Sequence, residues 1–113
     1  MSAPQKAGDL TPKDRMAIDR TKMPEQDPAR RAANFEEVNL GLEEAAAIRE
    51  AQRCLRCTNR KCVEGCPVRV DIPEFITKVA EGDFPAAAAI LRRTNSLPAV
   101  AGRVCPQEVQ CEA

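Results

Sequence analysis

Histidine, tryptophan and tyrosine are absent from this chain, and phenylalanine occurs three times in 113 residues. Without histidine there can be no Ser-His-Asp triad, no imidazole general base and no Cys/His zinc finger. With 3% aromatic and 30% charged residues, the chain has little from which to build a large core. Small domains of this composition need a staple, which can be disulfides, a metal site or a partner. Net charge is lacking too. The 17 basic residues balance 17 acidic ones, whereas a nucleic-acid binder shows a basic excess. No run approaches the roughly 18 apolar residues of a membrane span. The start, MSAPQKAGDL, lacks the charged beginning and apolar centre of a secretory leader. These absences predict one cytoplasmic domain with no nucleic-acid partner and no membrane partner.

What the chain does have is cysteine. Four of its six cysteines fall in CLRCTNRKCVEGCP, as Cys54, Cys57, Cys62 and Cys66, with Pro67 after the last. Two more, Cys105 and Cys111, lie in VCPQEVQCEA near residue 113. In a reducing cytosol such clusters serve metal or redox chemistry rather than structural disulfides. Three thiolates within nine residues can wrap a compact cube of iron and sulfide. In bacterial ferredoxin runs the fourth cysteine, the one before proline, ligates the other cluster. Cys66 is therefore expected to pair with Cys105 and Cys111 rather than with its neighbours. Zinc is the competing reading, as a zinc-stapled or metal-free interaction and docking domain without a redox role. Zinc modules, however, usually put a longer loop between their Cys pairs and often include histidine. Around the four close cysteines stand Arg53, Arg56, Arg60, Lys61 and Arg69 against the single acid Glu64. These cations suit a negatively charged cluster. They equally suit a solvated loop or a docking patch for an acidic partner.

The rest of the chain reads as helices and loops. Residues 1–34 carry prolines at 4, 12, 24 and 28 and no periodic apolar face, which predicts an extended, flexible N-terminal arm. One short helix is expected there from Asp27 to Asn34, with Asp27 as N-cap and Pro28 as its first residue. Phe35 and Val38 are the first expected core anchors. LEEAAAIREAQRCLRC predicts a helix with Ala45, Ile48, Ala51, Gln52 and Leu55 on one stripe, delivering Cys54 and Cys57 from its last turn. TNRKCVEGCPVRV reads as loop. DIPEFITKVAEG predicts a second helix, with Asp71 and Glu74 as a capping box and Gly82 as its stop. DFPAAAAILRRTN predicts a third, capped by Asp83, with the alanines 86–89 as a close-packed face. Gly102-Arg103 is expected to shape the approach to a cluster, and Arg30 and Arg31 to be solvated. No run alternates apolar and polar residues, so the fold class is all-α.

The stretch from MPEQDPARRAANF through CLRCTNRKCVEGCPVRVDIPEF, with EGDF and TNSLPAVAGRVCPQEVQCE, resembles the N-terminal iron–sulfur domain of the glutamate synthase (NADPH) small-subunit family. Its relatives are the large subunit of ferredoxin:NADP transhydrogenases and the N-terminal domain of dihydropyrimidine dehydrogenase. The likeness covers about residues 23–112 of this chain. It implies an α-helical ferredoxin-like domain over 35–113 whose loops bind two [4Fe-4S] clusters, preceded by the arm 1–34. It implies Cys54, Cys57 and Cys62 as ligands of one cluster and Cys66, Cys105 and Cys111 as ligands of the other. The family's remaining ligand positions, its FAD and its NADPH-binding domains fall beyond Ala113, and no G-x-G-x-x-G occurs here to bind a dinucleotide. The chain is accordingly expected to be cut short of the last ligands, with clusters that are incomplete as it stands. The implied function is electron transfer without a catalytic residue in this chain, within an oxidoreductase. The implied partners are the flavin and NADPH domains and either a glutamate synthase large subunit or a ferredoxin.

Overall fold

The computed structural model describes residues 10–113; the first nine residues of the expected arm, and with them most of the stretch read for a leader, lie outside the described residues. Among the described residues the fold is helical. The helices are α1 (Pro12–Met16), α2 (Pro28–Arg31), α3 (Glu44–Ala51), α4 (Lys61–Gly65), α5 (Ile72–Ala80), α6 (Phe84–Arg92) and α7 (Pro98–Val104), followed by a 3₁₀ turn at Gln107–Val109. The extended pairing among these residues is one bridge, Glu25 to Asn39.

Helices α5 and α6 form because their starts are chemically marked. The Asp71 carboxylate accepts from the Glu74 N–H at 3.2 Å, and Asp83 accepts from the Ala86 N–H at 3.1 Å. Each such cap stabilises a helix by about 1 kcal/mol. Between them the chain reverses at Gly82, whose φ of +79° is open to glycine without a Cβ clash. The expected capping box is half made: the Glu74 carboxylate pairs with Arg93, the C-cap of α6, 2.9 Å away, and so ties the two helices.

Helix α3 packs on α5, and α5 packs on α6. The core is built from small residues. Ala51, Val70, Ala80, Ala87 and Ile90 are buried, with Ile76 and Val79 against Ala51 and Ala80. No large side chain is fully buried among the described residues. A core this thin is consistent with the need for a staple.

Several expectations are corrected. Phe35 is fully exposed and Val38 is 39% exposed, and neither belongs to the buried core. Of the predicted stripe on α3, Ala45 and Leu55 are exposed, and Ala51 is the buried member. Of the alanines 86–89 only Ala87 is buried. Helix α3 stops at Ala51, with Gln52 as its C-cap, so Cys54 and Cys57 lie past its end. The segment read as loop contains α4, which carries Cys62. Helices α1 and α7 were not expected; each begins with proline at its first turn, where the lost N–H costs nothing. Helix α2 matches the expected Asp27 cap, with the Asp27 carboxylate accepting from the Ala29 and Arg30 N–H groups.

Candidate functional site

The six cysteines arrive from four places. Cys54 and Cys57 sit in the turn after α3, and Cys62 stands on α4. Cys66 caps the C-terminus of α4, and Cys105 that of α7. Cys111 follows the 3₁₀ turn. All six are free thiols, with Cys57 and Cys105 exposed and the other four half-buried.

Cys62 has Cys54 and Cys57 as electrostatic neighbours, and Cys111 has Cys105 and Cys66. Burial pushes the Cys62 thiol above its ordinary value, and the nearby Cys54 and Cys57 push it further against the Val63 and Cys62 backbone N–H groups. The Cys111 thiol is likewise raised, first by burial, then by Glu112, Cys105 and Cys66. Cys105 Sγ lies 3.4 Å from Gln110 Oε1, and Cys111 Sγ lies 3.9 Å from the Gln107 carbonyl. Among the described residues no three Cys, Asp or Glu side chains converge tightly enough to hold a single metal ion. The donors are soft thiols, which suit thiolate-ligated iron–sulfur cores.

The backbone around the thiols is unusual. Arg56, just before Cys57, has φ of 52°, and Arg69, three residues after Cys66, has φ of 54°. A non-glycine residue in this region costs on the order of 1–2 kcal/mol, and such strain gathers at functional sites. At Gly65 the chain passes unusually close to another segment. A Cβ built there would stand 2.6 Å from the Gln110 carbonyl oxygen and 3.1 Å from the Cys111 Cα. Glycine at 65 therefore lets the end of α4 lie directly on the segment that carries Cys111.

The cations of the cysteine loop have different fates. Arg53 is held by Glu50 and donates to the Ile18 carbonyl at 3.2 Å. Arg60 reaches both oxygens of Asp71, at 3.0 and 3.1 Å. Arg56, Lys61 and Arg69 are exposed beside the thiols. An open cleft of about 240 Å³ lies here, lined by Arg56, Cys57, Arg60 and Thr77 among others. A larger hollow of about 550 Å³ lies between residues 37–41 and α7, and no cysteine lines it. Arg103 borders that hollow, paired with Glu37 at 2.7 Å, and a Cβ at Gly102 would meet nothing within 4 Å. Both residues lie on α7, where Arg103 makes an ion pair to the 37–41 segment.

Residues ahead of the cysteines also reach the site. Arg15 of α1 is 6% exposed, and its guanidinium donates to the carbonyls of Gln52 at 3.0 Å and Cys54 at 3.3 Å. The Thr21 N–H donates to Glu50 at 2.7 Å. Burial pushes the Glu50 carboxyl up, but the Thr21 N–H and Arg53 outweigh it and leave the group below its ordinary value. Arg15 was missed from sequence because nothing local marks it, whereas Gly65 was read only as a loop former.

The comparisons agree on one family. Residues 31–113 match the model of dihydropyrimidine dehydrogenase domain II, 4Fe-4S cluster. The glutamate synthase (NADPH) small chain of Halomonas elongata is 47% identical over 90 residues, covering 79% of this chain and 19% of that protein. The corresponding Escherichia coli small chain is 42% identical over 82 residues, 73% of this chain and 17% of the relative. The NAD-dependent dihydropyrimidine dehydrogenase subunit PreT of Salmonella typhimurium is 38% identical over 78 residues, 69% of this chain and 19% of the relative. The chain thus spans less than a fifth of the length of these relatives. No helix among the described residues is long and apolar enough to cross a membrane.

Proposed function

This chain belongs to the family of dihydropyrimidine dehydrogenase domain II, a 4Fe-4S cluster domain, and from that premise we propose that it is the electron-transfer module of a larger NADPH-dependent flavin and iron–sulfur oxidoreductase. A glutamate synthase small subunit is the parent that the relatives favour. The module works in the cytoplasm and carries no residue for bond-making catalysis. Its partners are the flavin and NADPH-binding domains of the parent, and a glutamate synthase large subunit or a ferredoxin. It touches neither membrane nor nucleic acid.

The observation that carries this reading is the match of residues 31–113 to a 4Fe-4S cluster domain, a stretch that holds all six free thiols. Cys54, Cys57 and Cys62 hold one [4Fe-4S] cluster, and Cys66, Cys105 and Cys111 hold the other. Such a cluster takes four ligands, so each three is completed by one further ligand. When bound, each cluster supplies a place for one electron at a time. Residues 35–113 form the α-helical ferredoxin-like unit, and residues 1–34 are the arm that leads into it.

The chain's own residues set the conditions for that chemistry. Arg56, Lys61 and Arg69 put positive charge next to the thiolates, which favours the more negative, reduced state. The half-buried positions of Cys54, Cys62, Cys66 and Cys111 limit water at the sulfurs. Cys62 and Cys111 titrate high as free thiols, so ligation must release their protons, and loading weakens as pH falls.

The test is optical. Chain purified without oxygen is expected to be brown and to bleach when dithionite supplies electrons. A colourless protein that carries zinc would overturn the reading in favour of a zinc-stapled interaction domain.

A further inference from the structure

Arg15 stands ahead of residues 31–113, the part that matches the family, yet it is among the most buried residues of the fold, at 6% exposure. Its helix, α1, is fixed by a reciprocal cap: Asp14 N–H donates to the Thr11 hydroxyl, and Thr11 N–H donates to Asp14. From there the guanidinium reaches the Gln52 and Cys54 carbonyls, at 3.0 and 3.3 Å. The Gln52 carbonyl belongs to the C-cap of α3 and the Cys54 carbonyl lies two residues beyond it, just past the negative end of the helix. Two further ties hold the same two segments together, Arg53 to the Ile18 carbonyl and the Thr21 N–H to Glu50.

We propose that Arg15 is a positioning residue for Cys54 and an electrostatic control on the cluster that Cys54, Cys57 and Cys62 hold. The inference rests on the cluster reading above. Arg15 fixes the peptide that carries Cys54. It also sets a buried positive charge against the Cys54 carbonyl. A buried guanidinium acts across low dielectric and is little screened by salt. Its positive charge stabilises the cluster more after it gains an electron than before, so Arg15 raises that cluster's midpoint potential.

The experiment is a potentiometric titration, read by electron paramagnetic resonance, of the whole chain loaded with iron and sulfide. Wild type is compared with Arg15→Met, Arg15→Lys and Lys13→Met. Lys13 lies on the same helix but is exposed, so its variant removes one charge without touching Cys54. In Arg15→Met, one of the two midpoints is expected to move to more negative potential while the other stays. Arg15→Lys keeps the charge and is expected to stay nearer wild type, and Lys13→Met to leave both midpoints in place. Failure of Arg15→Met to load, with Arg15→Lys loading at a near-native midpoint, supports the proposal equally. Unchanged midpoints in Arg15→Met overturn it, as does equal failure of both Arg15 variants to load. If wild type takes up no cluster, the cluster reading itself fails; if wild type loads and Arg15→Met matches it, only the role of Arg15 fails.

Discussion

Replacing Gly65 by alanine sets two effects of known size against each other. Gly65 is the last residue of α4. In a helix interior alanine is better than glycine by about 1 kcal/mol, so propensity alone predicts a more stable protein. The surroundings say otherwise. The added Cβ would stand 2.6 Å from the Gln110 carbonyl oxygen, and a relaxed carbon–oxygen contact is about 3.3 Å or longer. The two segments must therefore separate by roughly 0.7 Å. The atoms in the way are backbone, including the Cys111 Cα at 3.1 Å, so no side chain can swing aside. Overpacking of this kind costs about 1–3 kcal/mol, which cancels or exceeds the propensity gain. The larger consequence is positional. Ligand sets need their groups within about 0.5 Å of the productive geometry, and the displacement falls on Cys111 relative to Cys66. Gly65→Ala should therefore lose the cluster of Cys66, Cys105 and Cys111 and keep that of Cys54, Cys57 and Cys62. Iron per chain should fall to about half, with one of two paramagnetic signals gone after reduction. A far-ultraviolet dichroism spectrum like that of wild type would show that helices remain. Full iron content and both signals in Gly65→Ala would refute the close-approach reasoning.

Two other perturbations follow from the same contacts. Asp71→Ala removes the α5 cap and the partner of Arg60. The half-exposed ion pair adds little, so the cap dominates, and thermal melting should fall by about 4–8 °C, equivalent to about 1 kcal/mol. Asp71→Asn keeps a capping oxygen and should melt close to wild type; equal losses in both variants would show that charge, not capping, is what α5 needs. Glu50 titrates below its ordinary value of 4.5 because Thr21 and Arg53 hold its charged form. A depressed carboxyl contributes stability above its unfolded pKa and loses it as pH falls through the lower folded value. The tie between residues 15–21 and α3 should therefore weaken in acid below 4.5. Amide exchange at Thr21 should lose protection as pH falls below 4.5, and Glu50→Gln should lose it at neutral pH. Protection that is flat with pH and equal in both proteins would contradict this.

Much of the architecture was legible where local chemistry decides it. Asp71, Asp83 and Asp27 cap the helices that sequence assigned to them, because a carboxylate one residue ahead of a helix has few better partners than the next free N–H groups. The cysteine spacing and its likeness to an iron–sulfur family were legible for the same reason, since ligand spacing is written along the chain. What failed depended on contacts between distant residues. Helix α3 was expected to reach Cys57, yet Arg15 takes the Gln52 and Cys54 carbonyls, and Arg56 at φ 52° leaves the helical region. Helix α4 was hidden by Asn59, Gly65 and Pro67, which read as loop formers. Gly65 is there for the close pass of Gln110, 45 residues further on, as the numbering shows. Phe35 and Val38 were expected to anchor a core, but apolar character does not say whether a neighbour comes to cover it. Both stand exposed, with Leu97, Val100 and Val104 also uncovered on and beside α7.

The central claim is that these cysteines hold iron–sulfur clusters. The most direct measurement is iron and acid-labile sulfide per chain, on protein purified without oxygen. The account predicts iron and sulfide in equal amounts, approaching about eight of each where two clusters are complete. Zinc in place of iron, or a chain with neither iron nor sulfide after anaerobic reconstitution, would contradict it.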